Sequence, residues 1–171
     1  MNLNNELIRE SKKFPILKRF KLHGNSHEVV LLQAPDKSKI IRKQYNSKNP
    51  AHVASFSKEI KILTDLEKRQ FPFVPRLLAI DHKNLTFFQT YVGKTPPNSK
   101  KYHKKAKKRT KELYKQHGYR YIHEGKKIWK TYWGNYCINK GEIYLIDFGS
   151  LKWTMPHTKP EKIAMKKKKK S

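Results

Sequence analysis

Two successive prolines, Pro96 and Pro97, divide this chain, because they can continue neither a helix nor the middle of a strand. They sit within Lys94–Thr95–Pro96–Pro97–Asn98–Ser99, a linker composition, and the charge differs on either side of it. Upstream, residues 14–92 carry 14 basic and 6 acidic side chains. Downstream, residues 94–130 carry 14 basic and only 2 acidic ones. Residues 151–171 add 8 more cations against Glu161 and end in the run Lys166 to Lys170. Over 171 residues the formal net charge is +27. Such an excess repels itself and attracts phosphate-rich partners. A hydrophobic content of 36% and an aromatic content of 12% nevertheless supply a core, which excludes wholesale disorder.

Periodicity within each part predicts the elements. Glu28–Leu32 and Ile40–Tyr45 are β-rich runs about the turn residues 34–38, hence a hairpin. Asn49–Pro50 reads as a helix cap followed by proline at the first position. Val53, Phe56, Ile60, Leu63 and Leu66 then place one apolar stripe on that helix. A second hairpin joins Leu77–Ile80 to Leu85–Val92 about residues 81–84. Beyond the linker, Ser99 to His117 reads as a helix closed by Gly118, with a thin stripe of Tyr102, Ala106, Leu113 and Tyr114. Tyr136–Ile138 and Ile143–Ile146 form a third hairpin about Asn139–Lys140–Gly141. The order is α+β rather than alternating βαβ.

The informative stretch is Trp133–Gly134–Asn135–Tyr136–Cys137–Ile138, followed by Ile143–Tyr144–Leu145–Ile146–Asp147–Phe148–Gly149. An Asn, a hairpin, then Asp–Phe–Gly resembles the catalytic and metal-binding loops of the protein-kinase-like family. The resemblance implies Asn135 and Asp147 as ligands of Mg²⁺ on the phosphates of ATP. Hard Mg²⁺ takes oxygen donors, and both residues supply them. Lys43, in Ile40–Tyr45, is similar to the strand lysine that pairs with nucleotide phosphates, and Glu59, sixteen residues on, to its helical carboxylate partner. Gly24 and Ser26, in Gly24–Asn25–Ser26–His27, would be the phosphate-contacting loop, with one glycine where protein kinases show several.

The resemblance covers about residues 20–150 and implies a division. Residues 1–19 would be an N-terminal extension, 20–93 a strand-rich N-lobe, 94–99 the hinge, 100–155 a much reduced C-lobe and 156–171 a basic disordered tail. The residues after Ser150 are too few for the large helical lobe that holds peptide substrates. The chain also departs from the family at the catalytic loop. Lys130 occupies the place of the catalytic Asp, five residues before Asn135, and a charged lysine cannot take a proton from a hydroxyl. Glu124 is the nearest upstream carboxylate and the candidate base.

Two functions remain open. One is an ATP·Mg²⁺-binding, serine/threonine-kinase-like phosphotransferase or pseudokinase. The other is a non-catalytic, basic nucleic-acid-binding protein on the same scaffold. Lys100, Lys101, Lys104, Lys105, Lys107, Lys108 and Arg109 are its polyanion-binding candidates, interleaved with rings that suit base stacking. Cys137 forbids an internal disulfide by being alone, and its strand position reads as core. No apolar run approaches the roughly 20 residues of a spanning helix. The expectation is an intracellular protein, cytoplasmic or nuclear, whose small size and lysine content suit a viral or phage genome.

Overall fold

A computed structural model describes residues 3–20, 28–121 and 133–153 of the chain. The elements are α1 (Leu3–Glu10), β1 (Ile16–Arg19), β2 (Glu28–Gln33), β3 (Lys39–Gln44), α2 (Pro50–Lys68), β4 (Leu77–Asp81), β5 (Thr86–Thr90), α3 (Lys100–His117), β6 (Tyr119–Tyr121), β7 (Tyr136–Asn139), β8 (Glu142–Leu145) and β9 (Leu151–Trp153). The chain is α+β, as its pattern predicts. Local chemistry sets most of the boundaries. At the β2–β3 turn, Ser38 N donates to Asp36 Oδ1 at 2.9 Å. Asn49 caps α2 by accepting from the Ala51 N–H, with Pro50 beginning the helix. Gly118 ends α3 in the left-handed region, φ 73°.

Five antiparallel strands form one sheet in the order β1-β2-β3-β5-β4. Period-2 alternation splits its side chains between two faces. Val30, Leu32, Ile40, Phe88 and Ala79 form one apolar layer, against which Leu7 and Ile8 of α1, together with Phe14, pack. Within the segment 1–19, β1 extends the sheet and α1 covers it. The opposite face carries Lys43 and Phe87, which are register partners, and meets α2. A larger core runs from Phe56, Leu63 and Leu66 of α2 through Ala106 and Leu113 of α3 to Tyr136, Leu145, Phe148 and Leu151.

The second unit is built on α3, the β7–β8 hairpin and a short β6–β9 pair. Arg109 fixes α3 to the hairpin. Its guanidinium lies 3.2 Å from the centroid of the Phe73 ring and donates at 2.8 Å to Glu142. Lys105 Nζ adds bonds to Glu142 Oε1 at 2.9 Å and to the Gly141 carbonyl at 2.6 Å. The proline-rich linker does not begin as a loose connection. Ile138 N donates to Lys94 O at 2.8 Å, and Gly93 (φ 108°) lies so close to the hairpin that a Cβ there would stand 1.9 Å from Ile138 O. No helix among the described residues is long and apolar enough to cross a membrane.

Candidate functional site

Lys43 and Glu59 meet inside the protein because two periodicities agree. Lys43 lies on the α2-facing side of β3, and Glu59 falls within the buried stripe that includes Phe56, Leu63 and Leu66. Lys43 Nζ donates to Glu59 Oε1 at 2.5 Å, and Glu59 is fully buried. An ammonium in such a place is costly unless paired. Burial alone would lower the Lys43 pKa, but the charges of Glu59 and Asp147 overcome it and hold the group above its ordinary value. Lys43 is therefore a permanent cation at working pH. Glu59 has two further donors: the Tyr45 hydroxyl on Oε2, and the Phe148 N–H on Oε1 at 3.3 Å.

Asp147 stands two residues beyond β8 with φ 61°, in the left-handed region, and opens a short 3-10 turn over Phe148–Ser150. That conformation costs a non-glycine residue of order 1 kcal/mol or more, and such strain clusters at functional sites. Lys58 on α2 steadies the turn by donating to Gly149 O at 2.8 Å. A Cβ on Gly149 would lie 3.7 Å from Asp147 Oδ1, so glycine leaves space beside that carboxylate oxygen. Ile146 N donates to Asn135 O at 2.8 Å, which brings buried Asn135 to the neighbour of Asp147 in the chain. A carboxylate and a carboxamide are hard oxygen donors of the kind Mg²⁺ accepts, with waters and phosphates completing its shell. No group of three or more His, Cys, Asp or Glu among the described residues could hold a metal by itself. The donor set fits Mg²⁺ on a phosphate ligand better than an all-protein site.

Cys137 follows on β7, within electrostatic reach of Lys43 and Tyr91. Burial pushes its thiol up to about 11, and the Lys43 charge offsets only part of that. Gln89, on β5 two residues from the register partner of Lys43, is 3% exposed, and its Oε1 has no hydrogen-bond partner among the described residues.

No protein-family model matches this chain, and no curated protein matches it.

The structure thus brings together Lys43, Glu59 and Asp147, and sets Asn135 beside the last of these. Gly24, Ser26, Glu124, Lys130 and the lysine tail lie outside the described residues. β6 ends at Tyr121 and the 3-10 turn containing Asn135 starts at Trp133, so residues 122–132 hold both candidates for proton chemistry. The seven cations of α3 expected to bind polyanions divide into two groups. Lys100, Lys101, Lys104, Lys107 and Lys108 are exposed, whereas Lys105 and Arg109 are engaged with Glu142. Sequence reasoning passed over Tyr45 and Lys58. An aromatic at a strand end reads as core, and one lysine among the many of a basic helix carries no signal of its own.

Proposed function

We propose that this chain binds ATP with Mg²⁺ as a protein-kinase-like protein with a strand-rich lobe. The observation that carries the reading is the buried Lys43–Glu59 pair, with Glu59 also bonded to the N–H of Phe148, the residue after Asp147. The sheet order, with α2 inserted between β3 and β4, is compatible with that family and supports the reading. Lys43 holds the nucleotide phosphates and Glu59 aims its ammonium at them. Asn135 and Asp147 hold the metal, which when bound neutralises charge on the phosphate oxygens. Gly24 and Ser26 complete the phosphate contacts. Lys130 is a cation where a base is needed, so Glu124 is assigned as base, and phosphate transfer to a hydroxyl is slow or absent even where ATP binds.

A melting experiment tests the reading. ATP·Mg²⁺ at about a hundred times its dissociation constant adds roughly 2.7 kcal/mol, a visible rise in Tm. Asp147→Ala removes the metal-dependent part of that rise. Glu124→Gln leaves the rise in place and lowers turnover of labelled ATP. Absence of any shift at millimolar ATP overturns the nucleotide reading. A second reading, polyanion binding, rests on the exposed cations Lys100, Lys101, Lys104, Lys107 and Lys108 along α3.

A further inference from the structure

We infer that Tyr45 is a positioning residue for the site: its hydroxyl holds the second oxygen of Glu59, so that the Lys43–Glu59 pair is assembled before any ligand arrives. The inference rests on the nucleotide reading for its functional consequence, while the brace itself belongs to the unliganded protein. Tyr45 lies one residue beyond β3 and two beyond Lys43, hence on the same side of the chain. Its backbone N–H is tied to Leu85 O at 3.0 Å, which fixes where the ring begins. Three other rings then set its direction. Phe56 meets it edge-on at 5.7 Å, Phe87 stacks at 6.3 Å and His52 meets it edge-on at 6.5 Å. The ring is buried, and its hydroxyl donates to Glu59 Oε2.

Both carboxylate oxygens of Glu59 are consequently committed, and to three different places in the chain. Oε1 serves Lys43 on β3 and the Phe148 N–H after β8, while Oε2 serves Tyr45. Lys43 alone leaves the carboxylate able to turn about its last torsion, because an ammonium is a point charge without a preferred plane. A second donor on the opposite oxygen removes that freedom. Pre-organisation of this kind strengthens binding by removing an ordering cost at the moment of association. Its effect concentrates on the part of the ligand that Lys43 touches, the phosphates.

The test uses the full chain and Tyr45→Phe, which keeps the ring and deletes only the hydroxyl. ATP and adenosine are titrated against wild type and variant, and the Lys43 ammonium is followed by NMR in protein labelled with ¹⁵N-lysine, without ligand. The expected result is about tenfold weaker ATP binding with adenosine affinity unchanged, and a fall in the pH at which Lys43 loses its proton. Leu113→Ala opens the same core from α3, at a residue outside the group of rings about Tyr45, and leaves the ATP-to-adenosine ratio as in wild type. Equal weakening of both ligands by Tyr45→Phe, no weakening of either, or an equal change of the ratio in Leu113→Ala overturns the inference. If wild type binds neither ligand, the nucleotide reading fails by itself. The brace then stands or falls on the Lys43 titration, and an unchanged midpoint in Tyr45→Phe overturns it.

Discussion

Cys137 carries the first prediction at the scale of one residue. With its thiol held at about 11, little thiolate is present near neutrality, and the thiolate is the reacting form. At pH 8, native Cys137 should react with iodoacetamide on the order of a hundredfold more slowly than an unperturbed cysteine, and at the ordinary rate after denaturation. Rapid alkylation of the native protein would show that its thiol is not held in the protonated form. The same shift couples stability to alkaline pH. A pKa raised from 9.0 to about 11 gives stability that is complete below pH 9 and is lost between 9 and 11. Tyr119, pushed from 10.0 up to about 12 by burial and its bond to Asp65, acts with the same sign between those values. Lys43, raised above 10.5, loses its contribution higher still. Melting temperature should therefore fall from about pH 9 upward, and Cys137→Ala should flatten the earliest part of the decline. The strand position of Cys137 is legible in Tyr136–Cys137–Ile138, although its side chain is half-buried rather than part of the core, whereas the Tyr45 bond to Glu59 is not legible. Hydroxyl partners depend on what crosses overhead, and periodicity says nothing of that.

Among the elements, α3 separates two uses of positive charge. Arg109 is shielded between the Phe73 ring and the carboxylates of Glu112 and Glu142, so its removal costs packing as well as charge. Urea unfolding of Arg109→Ala should show a loss of about 1–3 kcal/mol. Lys104→Ala, on the exposed side, should stay within about 0.5 kcal/mol of wild type. Equal costs for the two would mean that Arg109 is merely another solvated cation. The cap and apolar stripe of α2, and all three hairpins, are readable in the sequence because each carries its own turn or cap chemistry. β6 and β9 are not readable. Each has three residues, and each finds its partner only across the span from Tyr119 to Trp153. α1 and β1 escape for a related reason: a basic strand with exposed Ile16 and Leu17 shows no alternation, and α1 gains its place only from the sheet beneath it.

For the whole molecule, a net charge of +27 makes ionic strength the governing variable of any contact with polyanions. If some six to ten cations meet phosphates, affinity for DNA or RNA should drop by about a thousandfold or more between 50 and 200 mM salt. Replacing Lys100, Lys101, Lys104 and Lys107 by Gln should weaken binding about equally across sequences, since phosphate contacts carry no base information. Filter binding over a salt series measures both, and complete loss by about 150 mM salt would remove the nucleic-acid reading. At this scale the division at Pro96–Pro97 is legible, but the tight crossing that precedes it is not, because Gly93 and Ile138 are far apart in sequence. That crossing bears on how such a chain can change over generations. Lysine-heavy helix faces tolerate rewriting, since one solvated side chain replaces another. Single-base changes turn a glycine codon into alanine, serine or aspartate, among others, and at residue 93 every one of them drives a Cβ into the Ile138 carbonyl. Selection would strip such variants at once, leaving one unvarying position in a lineage whose surface drifts.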